Sequence, residues 1–227
     1  MDFLKPFVLT VPSCTVERQE TIDLHLPGEI VRPRPAIVFV HGGPLPPFLT
    51  PRDWPRFQGY GGLAAARGAV GVVAGHGLHT PADYPTAAAD VAAAIETVRS
   101  DPRVDEERVA LWFFSGSGLL AADWLRQPPS WLRGVALSYP FVVPYPEWNV
   151  PERFVPVASG EVPVVLTRVG REEPRVAEGV AAFVAGAANL EIVDVPQGRH
   201  GFDVVDDDDA SRAAIERAMD LIMATLA

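Results

Sequence analysis

The chain has 227 residues, 48% of them apolar and 21% charged, enough to bury a sizeable core in one domain spanning residues 1–227. That apolar content excludes disorder, and the longest apolar runs, such as Gly68 to Gly75, fall far short of the ~20 residues a membrane span needs. Nineteen basic against 29 acidic residues leave a net charge of −10, which repels polyanions, so neither nucleic acid nor an anionic membrane is expected as a partner.

The N-terminus, Met1-Asp2-Phe3-Leu4-Lys5-Pro6, shows no basic stretch followed by an apolar one, so no secretory signal is read there. The single cysteine, Cys14, excludes an internal disulfide and a cysteine-rich zinc site. Together these predict a cytoplasmic protein, a monomer or homodimer, that uses no metal and no other cofactor.

Eight short β-rich runs bounded by Gly, Pro or Asp are read as strands: Phe7 to Val11, Thr21 to Leu26, Ala36 to Val40, Val70 to Ala74, Val109 to Phe114, Gly134 to Ser138, Val162 to Thr167 and Leu190 to Val195. The first two alternate polar and apolar residues and predict an antiparallel edge. Several later runs are apolar throughout, the pattern of strands buried on both faces of a parallel sheet. Helices are predicted between them, over Phe57 to Arg67, Thr86 to Arg99, a short stretch after Ser117, Val176 to Ala187 and Ala210 to Leu226. In the second, Ala88, Val91, Ala92, Ile95 and Val98 form one apolar stripe. Strand–helix alternation from residue 36 onward predicts an α/β fold with a mostly parallel sheet. The acidic run Asp206 to Asp209 reads as a solvated helix start rather than a metal site, because adjacent carboxylates repel one another and favour a helix N-terminus.

Four motifs lie at the carboxyl ends of different predicted strands. Phe113-Phe114-Ser115-Gly116-Ser117-Gly118 runs a buried strand into a serine and then a small-residue helix, the pattern of a nucleophile on a sharp turn. His41-Gly42-Gly43-Pro44 follows the third strand. Its glycines can turn their amides toward a developing oxyanion, and Pro44 has no N–H to give, so Gly42 and Gly43 are the candidate donors beside Gly116. Gly170-Arg171-Glu172-Glu173-Pro174 supplies an acidic pair, and Gln197-Gly198-Arg199-His200-Gly201 a loop histidine. His76 and His79, three apart, lack a third ligand for a metal.

The order oxyanion loop, serine, acid, histidine resembles that of the α/β-hydrolase superfamily, and within it the small serine hydrolases similar to dienelactone hydrolase and acetyl esterase. The resemblance covers essentially the whole chain and implies an eight-stranded sheet, helices on both faces, no large lid and hydrolysis of small carboxylic esters or lactones through an acyl-enzyme. It assigns Ser115 as nucleophile, His200 as general base and Glu172 or Glu173 as the acid. Three features depart from the family pattern: Phe113 stands two before the nucleophile where a small residue is usual, Ser117 stands two after it where glycine is usual, and the acid is Glu rather than Asp. Ser117 is the rival nucleophile, but Ser115 directly follows the apolar run. The Pro-rich stretches Pro44 to Tyr60 and Tyr139 to Pro156 would wall a shallow pocket for a small ester, with Tyr139, Phe141, Tyr145 and Trp148 as its substrate-binding rim. Two other functions remain open at this point: a small proline-type peptidase, because His-Gly-Gly-Pro also resembles the oxyanion loop of those enzymes, and a non-catalytic small-molecule binding protein on the same fold.

Overall fold

The run Ala36-Ile37-Val38-Phe39-Val40 is apolar at every position because both of its faces are covered. Ala36, Val38 and Val40 enter one apolar cluster, while Ile37 and Phe39 enter a second on the opposite face of the sheet. The structure, a computed structural model, describes residues 4–227; Met1, Asp2 and Phe3, with which the N-terminal reading begins, lie outside the described residues.

The strands are β1 (Thr15–Arg18), β2 (Ile22–Leu26), β3 (Arg34–Val40), β4 (Val70–Ala74), β5 (Val104–Phe114), β6 (Leu132–Ser138), β7 (Val164–Arg171) and β8 (Leu190–Arg199). They form one sheet in the order β1-β2-β4-β3-β5-β6-β7-β8. β1 and β2 pair antiparallel, as do β2 and β4, and every other pair is parallel. The helices are α1 (Pro55–Ala66), α2 (Tyr84–Arg99), α3 (Ala122–Arg126), α4 (Pro174–Gly186), α5 (Phe202–Val205) and α6 (Asp209–Thr225). The first apolar cluster lies under α2 and α4, the second under α1 and α6. No helix among the described residues is long and apolar enough to cross a membrane.

One predicted strand is absent. Phe7 to Val11 is irregular, and the antiparallel edge is made instead by β1 and β2. The apolar residues of that segment lie on α1: Phe7 packs on Tyr60 with ring centres 4.9 Å apart, and a Cβ on Gly59 would overlap the Phe7 ring. A side chain can be apolar because it lies on a helix, and alternation over five residues does not distinguish that from a sheet edge. The short helix α5 was not anticipated.

Two features of the sheet set up the site. Strand order reverses at β3, whose neighbours are β4 on one side and β5 on the other, and such a switch point leaves a crevice at the carboxyl ends of the strands. At the other end, β7 and β8 stay paired to Arg171 and Arg199 across an irregularity after Val169. Gly170 permits this, since a Cβ there would run into the Pro196 carbonyl. The residues that follow the last pair, Glu172 and His200, therefore emerge side by side.

Candidate active site

Ser115 follows directly on β5 with φ of +53°, a left-handed conformation that costs a non-glycine residue on the order of 1–3 kcal/mol and persists only where the surroundings enforce it. The chain turns at once into a 3-10 segment, Ser115–Ala121. Tight packing falls on the glycines of this turn: a Cβ on Gly116 would collide with the Gly43 carbonyl, and one on Gly118 would lie 2.6 Å from the Phe141 carbonyl oxygen. Phe113 finds its space elsewhere, inside the first apolar cluster with Leu119 and Leu120. Ser117 is fully buried. Its Oγ accepts from the Phe114 amide at 2.9 Å and lies 2.9 Å from the carbonyl oxygens of both Val40 and Phe114, so it latches two strand ends together and faces no cleft.

The Ser115 hydroxyl lies 2.7 Å from His200 Nε2, and His200 Nδ1 lies 2.7 Å from Glu172 Oε2. With Nδ1–H donating to the carboxylate, Nε2 is left to accept from the serine. The Glu172 side chain is 6% exposed and that of His200 36%. Glu173 is engaged elsewhere: its carboxylate caps α4 by accepting from the Val176 amide and also accepts from the Tyr145 hydroxyl, both at 3.2 Å. Of the two candidate acids, only Glu172 meets the histidine.

Gly42 and Gly43 approach the same turn from β3, and a Cβ on Gly42 would stand 3.0 Å from that of Ser115. The loop rests on two stacked imidazoles, His41 and His76, with ring centres 3.7 Å apart. His41 donates to the Gly42 carbonyl at 2.7 Å, and His76 donates to the His41 carbonyl at 2.9 Å. Burial pushes His41 well below the usual histidine range, helped by the neighbouring His76. Burial likewise lowers His76 to about 4. The pair is a neutral support for the loop. His79 is bonded to the Leu45 carbonyl, and among the described residues no three His, Cys, Asp or Glu side chains cluster as metal ligands would. The acidic run serves its helix: Asp208 caps α6 by accepting from Ser211, and Asp206 pairs with Arg199.

A cleft of about 280 Å³ opens over these groups, lined by Gly42, Gly43, Pro44, Leu45, Trp54, Arg56, Phe57, Ser115, His200, Gly201 and Val205. The stretch after β3 is therefore the wall expected of it. The stretch after β6 differs from the expected rim. Tyr139 is 1% exposed, and its ring edge packs on His200 at 4.9 Å, so it is a buried support and not an open substrate contact. Phe141 lies 5.7 Å from His200 and forms a half-buried aromatic group with Tyr145 and Trp148. Neither Arg56 nor Asp203 stands out among the sequence motifs. The available signals were a lone cation within Trp54-Pro55-Arg56-Phe57 and a lone carboxylate within Gly201-Phe202-Asp203-Val204-Val205.

No protein-family model and no curated protein matches the chain. Solved structures do. The thermostable carboxylesterase EstE1, cloned from a metagenomic library, superposes with a TM-score of 0.74 at 19% identity, covering 97% of this chain and 92% of that one. DphMB1 gives 0.71 at 20% identity over 96% and 89%. Native esterase 2 of the planctomycete Thermogutta terrifontis gives 0.69 at 20% identity over 95% and 94%. The chain shares its fold with these structures, two of which are esterases, and that fold is the α/β-hydrolase fold its resemblance implied.

Proposed function

We propose that this chain is a serine hydrolase that cleaves small carboxylic esters or lactones through an acyl-enzyme on Ser115. The observation that carries this reading is the continuous hydrogen-bonded run from Ser115 through His200 to Glu172, at the strand switch point of a sheet shared with esterases. His200 Nε2 takes the serine proton as Oγ attacks the carbonyl carbon, and Glu172 holds the tautomer and offsets the imidazolium charge. The amides of Gly43 and Gly116, with Gly42 behind them, receive the charge that develops on the carbonyl oxygen. His200 then passes its proton to the departing alkoxide, and a water repeats the sequence to release the acid.

Two properties of neighbours support the choice. Thermogutta terrifontis esterase 2 is known with butyrate bound and phosphonylated by sarin. A fluorophosphonate probe followed by peptide mapping is the direct test: modification of the peptide holding Ser115, abolished by Ser115→Ala, is expected. Absence of labelling would favour a binding protein that keeps the cleft without the chemistry. The acidic surface and the free Cys14 support a cytoplasmic setting, a small-molecule substrate and no nucleic-acid partner.

A further inference from the structure

Three residues past His200 stands a carboxylate that this mechanism does not use. Asp203 lies on α5, is fully buried, and is surrounded by donors. The Tyr139 hydroxyl donates to its Oδ2 at 2.7 Å and the Tyr60 hydroxyl to the same oxygen at 3.2 Å. Arg56 Nε lies 3.3 Å from Oδ1, and Arg56 Nη1 donates to the Tyr139 hydroxyl at 3.1 Å. The Arg56 side chain is 11% exposed and belongs to the wall of the cleft that holds Ser115 and His200. Its Nη2 is the atom that a Cβ on Gly201, next to His200, would meet first, at 3.3 Å.

A guanidinium alone in that wall would have two consequences. It would oppose the positive charge that His200 acquires on taking the serine proton, and it would draw anionic substrates into the cleft. A lone buried carboxylate three residues from His200 would do the reverse. Together they present no net charge. Burial works most strongly against the Arg56 cation, and Asp203 together with the Tyr139 and Tyr60 hydroxyl oxygens more than offsets it, so the guanidinium is held above its ordinary value. Burial, ahead of the nearby charges, pushes the Tyr60 and Tyr139 phenols well above the usual range, so both stay protonated donors. Neither tyrosine can act as a second base.

We propose that Asp203 and Arg56 are a matched charge pair that positions the His200 ring through Tyr139 while adding no net charge beside the imidazole or in the cleft. Both are positioning residues, and the inference rests on the reading of His200 as general base. The other groups facing His200 are Glu172 from the end of β7, Ser115 from the end of β5, and the Arg199–Asp206 ion pair beside it in sequence. Glu173 is turned away onto Tyr145 and α4. Glu172 is thus the unmatched carboxylate that meets the ring.

The test is a charge cycle read in two ways. The His200 ring is titrated by NMR in protein carrying Ser115→Ala, where no activity is needed, and the acid limb of kcat/KM is followed in the enzyme with Ser115 intact. Arg56→Met, which leaves Asp203 unmatched, is expected to move the His200 titration upward by about half a pH unit to one unit. Asp203→Asn is expected to move it downward by about as much, and the double variant to return it to within about a quarter of a unit of wild type. Arg56→Lys keeps the charge and is expected to restore the position. Tyr139→Phe should lower kcat several-fold with KM unchanged, because the ring loses its anchor and the cleft its shape only slightly. Asp203→Asn should also raise the ratio of kcat/KM for a succinate monoester over the matching butyrate ester.

A folded Arg56→Met protein whose His200 titrates as in wild type would overturn the proposal, and with Arg56→Lys as its charge-keeping control this variant carries the test even where Asp203→Asn does not fold. A double variant displaced as far as either single one would overturn it as well. If His200→Gln retains full activity while the NMR shifts occur as expected, the hydrolase mechanism fails and the charge pair stands. If His200→Gln is inactive and the shifts are absent, the mechanism stands and the pair is structural.

Discussion

Ser115 and Ser117 stand two residues apart on one turn, and they belong to different regions of the molecule. Ser115, His200 and Glu172 form a relay at the carboxyl edge of the sheet, where the serine and histidine line an open cleft. Ser117, His41, His76 and Asp203 form a floor beneath it, in which each polar group is engaged with backbone or with a buried partner. The residue types are nearly the same in both. What separates them is that the relay keeps one acceptor or donor pointed at space a substrate can enter, whereas the floor spends its groups on holding strand ends and loops. Substitutions in the relay should therefore move activity and leave stability alone, and substitutions at Ser117, His41 or His76 should do the opposite, whereas Asp203 reaches the relay through Tyr139.

The largest expected effect is on the two serines. Ser115→Ala should lower kcat for a p-nitrophenyl ester by at least ~10³-fold, as loss of a nucleophile does, with an unfolding midpoint close to wild type. Ser117→Ala should leave most of the activity and cost about 1–3 kcal/mol, because the buried Phe114 amide loses its acceptor and a strand-end carbonyl its donor. Thermal or urea unfolding beside steady-state kinetics checks both. A dead Ser117→Ala variant that melts like wild type would reverse the assignment.

The adjacent glutamates sharpen the same contrast. Glu172→Gln should reduce kcat on the order of 10²- to 10⁴-fold, since an amide no longer fixes the tautomer or offsets the imidazolium. Glu173→Gln should change kcat less than about threefold and lower stability slightly through the weakened α4 cap. Equal kinetic losses at the two positions would mean that either carboxylate can reach His200 in solution.

The relay was largely legible in the sequence because each member follows a predicted strand with a glycine within a few residues, and because parallel strands deliver their ends to one edge. Ser115, His200 and the Glu172/Glu173 pair are all of this kind. The choice between the glutamates was not legible: it depends on the Arg171–Arg199 pairing and on the geometry of one helix cap. Nor was the floor. Tyr139 follows its strand as a rim residue would, yet a buried carboxylate 64 positions away takes its hydroxyl, and local pattern carries no information about that. Phe7 to Val11 failed for a related reason, since an apolar stretch reads alike whether a helix or a neighbouring strand covers it.

A smaller effect concerns substrate size. The floor is packed solid under the relay, so acyl chains have only the cleft of about 280 Å³ walled by Leu45, Trp54, Phe57 and Val205. Each methylene buried there yields ~0.8 kcal/mol, and nothing once the wall ends. On p-nitrophenyl esters kcat/KM should peak between acetate and butyrate and fall by about tenfold at octanoate, with no jump in rate above the substrate's solubility limit. A peak at decanoate would show that the wall after β3 or the aromatic group after β6 opens.

The smallest effect tests the floor through pH alone. His41 and His76 are both depressed by burial, His76 to about 4, whereas an unfolded chain protonates its histidines near 6.5. Above that value both states carry neutral imidazoles and these residues give stability no pH dependence. Below it the unfolded chain binds protons that the folded one refuses, so stability falls as pH drops from about 6.5 toward 4 and levels off only once the folded rings are protonated too. The midpoint of thermal unfolding should therefore hold steady from pH 8 to 7 as far as these rings are concerned and fall by several degrees by pH 4.5. His76→Asn, which loses the titrating ring, should flatten that slope while lowering the plateau. Ser115→Ala protein should show the same slope as wild type, because the serine hydroxyl does not titrate in this range and is not bonded to either ring. If Ser115→Ala flattened the slope instead, the acid sensitivity would belong to the relay, and the division between a working edge and a supporting floor would fail at the oxyanion loop, where the two regions touch.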